Sequence, residues 1–235
     1  MRPSIPATHA SSPRLVERLR QRFDVDGSAA DTVRVPDTPH KLLVMGVSGC
    51  GKSSTAAALA QALGAQMIEG DDHHLPQSQE KMRSGIALDD EDRGPWLDRL
   101  GAQIAESAGH VVLTCSALKR RYRERLRTAE PTLKIIYIDI VPEEARARVG
   151  ARTMHWFPAS LVDNQFATLE PPVGEPSVLR IDARWTTAMQ CEGIVRWLQR
   201  SIEDPGYKAT AGRGRGLPAA DQSKPDDQHH QREGH

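Results

Sequence analysis

Residues 41–63 read KLLVMGVSGCGKSSTAAALAQAL, and this stretch decides the fold. From Lys41 to Val47 it is a nearly unbroken apolar run, as a strand buried on both faces requires. From Gly51 onward Ala and Leu recur at helical density, so the chain passes from strand to helix through Gly46-Val47-Ser48-Gly49-Cys50-Gly51-Lys52-Ser53. That octapeptide satisfies GxxxxGK[ST]. Glycines at these positions let backbone N–H groups converge at a helix N-terminus, where the dipole favours an anion. Gly46, Val47, Ser48, Gly49, Cys50, Gly51, Lys52, Ser53 and Ser54 are therefore expected to cradle the phosphates of ATP. Lys52 would supply a cation to the β and γ oxygens, and the Ser53 hydroxyl a ligand for Mg²⁺.

Outward from this stretch, short β-branched runs alternate with helical patterns, the signature of a parallel sheet covered on both faces. The strand candidates are Lys41 to Val47, Gln66 to Glu69, His110 to Cys115, Lys134 to Ile140 and Val178 to Asp182. Helices are expected from Gly51, near Pro76, near Asp92, near Lys119, from Pro142, near Pro158 and near Thr186. The prediction is an α/β fold: a P-loop NTPase three-layer sandwich with a five-stranded parallel sheet and helices on both faces. One domain, residues 41–203, should carry it. Residues 1–40 read as an N-terminal extension rich in Pro, Ser, Thr and charge, and residues 204–235 as a C-terminal tail too polar to bury a core.

Lys plus Arg and Asp plus Glu number 31 each, so no global charge draws the chain to nucleic acid or an anionic membrane. No run of apolar residues is long enough to span a bilayer. Cys50, Cys115 and Cys191 are odd in number and lack CxxC spacing, which suits a reducing compartment, the cytoplasm by default. Cys50 lies near a helix N-terminus, where thiolates are favoured, and is expected to be reactive and shielded by nucleotide.

The octapeptide is shared by switches, motors and kinases, so the chemistry has to be read from the acids near it. The strand HVVLTC carries none, whereas Glu69-Gly70-Asp71-Asp72 stands at the end of the second strand. Ligands of an open α/β sheet gather at the C-terminal ends of the strands, so Asp71 should face the γ-phosphate. A carboxylate there can accept a hydroxyl proton and aim the oxygen in line. A kinase for another small molecule, such as shikimate or a nucleoside monophosphate, and a non-catalytic nucleotide switch remain open on these residues alone. His73 and His74 lack a third metal ligand at fixed spacing.

Four blocks then carry a resemblance: MGVSGCGKS (45–53), EGDDHH leading into EKMRSGIALDDEDRGPWL (69–97), CSALKRRYRERLR (115–127) and HWFPASLVDNQFATLEPP (155–172). With their spacers they resemble the gluconokinase family, relatives of shikimate and adenylate kinases, over about residues 42–198. The resemblance implies phosphorylation of D-gluconate at the 6-position by ATP with Mg²⁺, a homodimer, and a lid at about residues 152–160. It places Asp71 at the substrate hydroxyl and His74 beside it, with Lys81 and Arg93 inside matching blocks. A sugar acid needs a cation for its carboxylate, for which Arg93, Lys119 and Arg123 are the candidates. Arg148 and Arg152 would close over the phosphates, Arg152 joining Asp71 and Lys52 as catalytic residues. The chain departs from the family pattern at Leu75, Ser78 and Met154.

Overall fold

The computed structural model describes residues 38–151 and 160–203. Five strands form one sheet: β1 (Lys41–Met45), β2 (Gln66–Glu69), β3 (Val111–Thr114), β4 (Lys134–Asp139) and β5 (Val178–Asp182). Their order is β2-β3-β1-β4-β5, and every neighbouring pair is parallel. The helices are α1 (Lys52–Leu63), α2 (Pro76–Arg83), α3 (Asp90–Glu106), α4 (Arg120–Ala129), α5 (Pro142–Gly150), α6 (Ser160–Thr168) and α7 (Thr187–Glu203). A 3₁₀ turn, Gly70–His73, follows β2. The predicted elements are all present, and three of the five expected strands prove a residue or two shorter.

Alternation along β1 builds the three layers. Leu42 and Val44 point into one cluster with Ala56, Leu59 and Leu63 of α1 and Ile194 and Leu198 of α7. Leu43 and Met45 point the other way, against Trp96, Leu100 and Ile104 of α3 and Leu126 of α4. Each of these side chains contributes about 1.5–3 kcal/mol through burial, which is why the central strand reads as continuously apolar.

His40, placed in the extension by its sequence, belongs to the folded domain. Its N–H donates to His110 Nδ1 at 3.0 Å and the residue is 5% exposed. Among the described residues no helix is long and apolar enough to cross a membrane. Residues 1–37 of the predicted extension and the C-terminal tail lie outside the described residues.

Candidate active site

The phosphate cradle forms where β1 ends. Gly49 adopts φ +85°, and a Cβ there would stand 2.8 Å from the Ala145 carbonyl oxygen, so only glycine lets the loop lie against α5. Lys52 Nζ donates to the Gly46 and Val47 carbonyls, both at 3.1 Å, which folds its stem back over the loop. Ser53 and Ser54 begin α1 exposed, with their hydroxyls available to a ligand. The Ser48 N–H donates to Gln165 Oε1 of α6 at 2.6 Å. Cys50 is 1% exposed, packed under the loop, and this burial runs against the expectation of a reactive thiol, which needs an accessible sulfur.

Asp71 is presented by the 3₁₀ turn, and two neighbours hold that turn in place. Thr114, at the end of β3, accepts the Gly70 N–H on its hydroxyl at 3.2 Å while the same hydroxyl donates to the Glu69 carboxylate. From the other side Trp96 Nε1 donates to the Gly70 carbonyl at 2.8 Å. The Asp71 side chain is left 65% exposed, facing the cleft.

His74 stacks on Trp96 with ring centroids 4.1 Å apart, and its Nε2 is 3.9 Å from Asp71 Oδ1. Burial, aided by Arg93 and opposed by Asp71 and Asp92, holds the imidazole down at a pKa of about 4, so it is neutral at pH 7. Its Nδ1 and the Ser78 Oγ are both buried and without a hydrogen-bond partner.

The cleft between cradle and turn is lined by Ser48, Lys52, Asp71, His74, Arg93, Ser116, Asn164 and Gln165, with Met82, Leu88 and Leu161 as its apolar wall. Arg93 has no ion-pair partner among the described residues; its guanidinium stands 5.7 Å from the Tyr122 ring centroid. Arg148 flanks the cradle, donating to the carbonyls of Gly49 at 3.5 Å and Ala183 at 3.0 Å and pairing with Glu144. Arg152, Met154 and residues 152–159 of the expected lid lie outside the described residues.

Three predicted substrate cations are engaged elsewhere. Lys81 binds both oxygens of Asp92, at 2.7 and 2.8 Å, and so fastens α2 to the first turn of α3. Lys119 pairs with Asp90 at 3.2 Å and does not line the cleft. Arg123 is fully buried, pairs with Glu175, and donates to the carbonyls of Ala117 at 2.8 Å, Leu118 at 3.0 Å and Glu170 at 3.0 Å. Its work is to pin a strained turn: Ala117 sits at φ 42°, immediately after the cleft residue Ser116.

Ser116, Asn164 and Gln165 are cleft residues that the sequence reading did not single out. Ser116 and Gln165 carry no charge or motif of their own. Only the surrounding blocks CSALKR and DNQFATLE marked the regions.

A phosphate cradle sharing one cleft with an exposed carboxylate, on a five-stranded parallel sheet, defines a P-loop kinase. The AAA domain family model matches residues 42–172. The gluconokinase of Gluconobacter oxydans is 43% identical over 166 residues, covering 68% of this chain and 92% of that one. The thermosensitive gluconokinase of Escherichia coli is 39% identical over 149 residues, covering 61% and 79%. Among solved structures, a gluconokinase from Sinorhizobium meliloti superposes with TM-score 0.66 at 38% identity, covering 72% of this chain and 98% of its own. The APS kinase of Mycobacterium tuberculosis, at 19% identity and TM-score 0.51, shares the fold. This chain belongs to the gluconokinase family.

Proposed function

We propose that the chain transfers the γ-phosphoryl group of ATP to the 6-hydroxyl of D-gluconate, giving 6-phospho-D-gluconate and ADP. The observation that carries this is the shared cleft: cradle, carboxylate and a guanidinium without an ion-pair partner among the described residues converge there, on a chain of this family.

Asp71 accepts the hydroxyl proton as the oxygen attacks phosphorus, and the bond to the leaving ADP breaks in line. Lys52 balances charge on the phosphate oxygens, and Arg93 binds the gluconate carboxylate, since Lys81, Lys119 and Arg123 have other partners. The neutral His74 supplies a rigid wall that keeps Asp71 beside the acceptor without adding a positive charge. Arg148, and Arg152 of the lid, extend the cationic surround of the phosphates.

Mg²⁺ fits the donor set. Among the described residues no three His, Cys, Asp or Glu side chains gather to hold a metal by themselves, whereas Ser53 offers a hydroxyl at the head of α1. That is the pattern for an ion held mainly by substrate phosphates and water, where it would neutralise charge on the β and γ oxygens. A homodimer in the cytoplasm completes the proposal, supported by the family resemblance.

Asp71→Asn tests it. Gluconate phosphorylation should fall by about 10²-fold or more while Mg·ATP affinity stays unchanged. A variant with native turnover would remove Asp71 from the mechanism, and a native chain inert toward gluconate would remove the substrate.

A further inference from the structure

One hydrogen bond in the cleft joins parts of the chain that share no strand or helix. The Ser48 N–H, in the middle of the phosphate cradle, donates to Gln165 Oε1 across 117 positions of sequence at 2.6 Å. This amide belongs to the set that the P-loop reading assigns to phosphate, and a backbone N–H offers one proton. A phosphate oxygen and the Gln165 carboxamide oxygen are therefore rivals for it.

Three further features make the rivalry consequential. Gln165 lines the cleft together with Asp71 and Arg93, so the side chain on the cradle is also part of the acceptor wall. The enclosed part of the cleft has a volume of about 50 Å³, room for a few waters. The α6 backbone that carries Gln165 is also tied to the far wall. Glu170, just past its end, donates its N–H to the Leu118 carbonyl at 2.9 Å and accepts the Arg120 N–H on its carboxylate at 2.6 Å. The segment after β3 that carries Ser116 and the α6 segment are thus linked.

We propose that Gln165 is a nucleotide-displaced latch: its carboxamide oxygen holds the Ser48 amide until ATP competes it away, and its release makes room for the sugar acid. The inference rests on the P-loop reading of the cradle. It makes Gln165 a positioning residue that sets the affinity for one substrate and couples it to the other.

The competition has a sign that a merely structural role does not share. Gln165→Ala and the near-isosteric Gln165→Met both remove the rival acceptor and should tighten Mg·ATP binding, by about 3- to 10-fold from the net worth of one hydrogen bond. Gln165→Glu keeps the acceptor and sets a negative charge beside the phosphates, so it should weaken binding by about 10-fold or more. In the native chain a non-hydrolysable ATP analogue should lower the Kd for gluconate, and in Gln165→Ala that enhancement should disappear because the cleft is already open. Isothermal titration calorimetry on the full chain reads all of these, with thermal melting to verify that each variant is folded. Unchanged or weaker ATP binding in both Gln165→Ala and Gln165→Met would overturn the latch. The functional reading fails separately, if the native chain binds ATP yet leaves gluconate unphosphorylated.

Discussion

Gly70 offers the sharpest test of how the fold aims its carboxylate. A Cβ at this position would stand 2.2 Å from the Thr114 carbonyl oxygen, with the Thr114 carbonyl carbon at 3.3 Å and Leu100 Cδ1 at 3.5 Å. An ordinary carbon–oxygen contact begins at about 3.3 Å, so Gly70→Ala requires a displacement of about 1 Å. Thr114 cannot supply it, since β3 is paired on both sides, to β2 and to β1. The turn must move instead, and Asp71 moves with it. The shift also strains the bonds from Trp96 Nε1 to the Gly70 carbonyl and from Gly70 N–H to Thr114, together worth about 1–3 kcal/mol. An error of about 1 Å in a reacting group costs about 10² in rate. The cradle is on β1, separated from β2 by β3, and should keep its affinity. Steady-state gluconate phosphorylation should show kcat reduced by about 10²-fold, calorimetry should show Mg·ATP affinity within about 2-fold of native, and chemical denaturation the loss of 1–3 kcal/mol. Native kcat in Gly70→Ala, or a parallel loss of ATP binding, would refute this account of how Asp71 is held.

Arg93→Ala should raise KM for gluconate by about 10-fold or more with little change in KM for ATP, because it removes a cleft cation that has no ion-pair partner among the described residues; equal effects on both would refute the assignment. Glu175→Gln leaves Arg123 buried beside a neutral amide and should cost about 3–5 kcal/mol in chemical denaturation, while Lys119→Met should leave KM for gluconate within about 2-fold of native. His40 and His74 are both pushed down to a pKa of about 4, by burial first in each case. The unfolded chain, with histidine near 6.5, then binds more protons, so stability is full above pH 6.5 and is lost as pH falls toward 4. Between pH 7 and 5 the loss should be on the order of 2 kcal/mol for each, read as a shift of urea midpoint, and a flat midpoint over that range would contradict the burial argument.

The chain's own order of residues was enough for the sheet, the loop between β1 and α1 and the placement of Asp71 at the cleft, since each depends on local pattern. An apolar run followed by GVSGCGKS can only be a buried strand feeding a helix through a loop of convergent amides, and an acid after the next strand must sit at the same edge of a parallel sheet. The fate of the cations could not be read this way. Lys81, Lys119, Arg93 and Arg123 look alike as charges in matching blocks, and what separates them is which carboxylate lies opposite. Asp92, Asp90 and Glu175 come to three of them, Glu175 from 52 residues away along the chain, while Arg93 is left facing the cleft. Gln165 is the extreme case: an uncharged side chain whose importance comes only from standing over an amide 117 positions distant. Backbone periodicity is a property of neighbours in sequence and so is visible in it, whereas the choice of partner for a polar group is made by packing and exists only once the layers have closed.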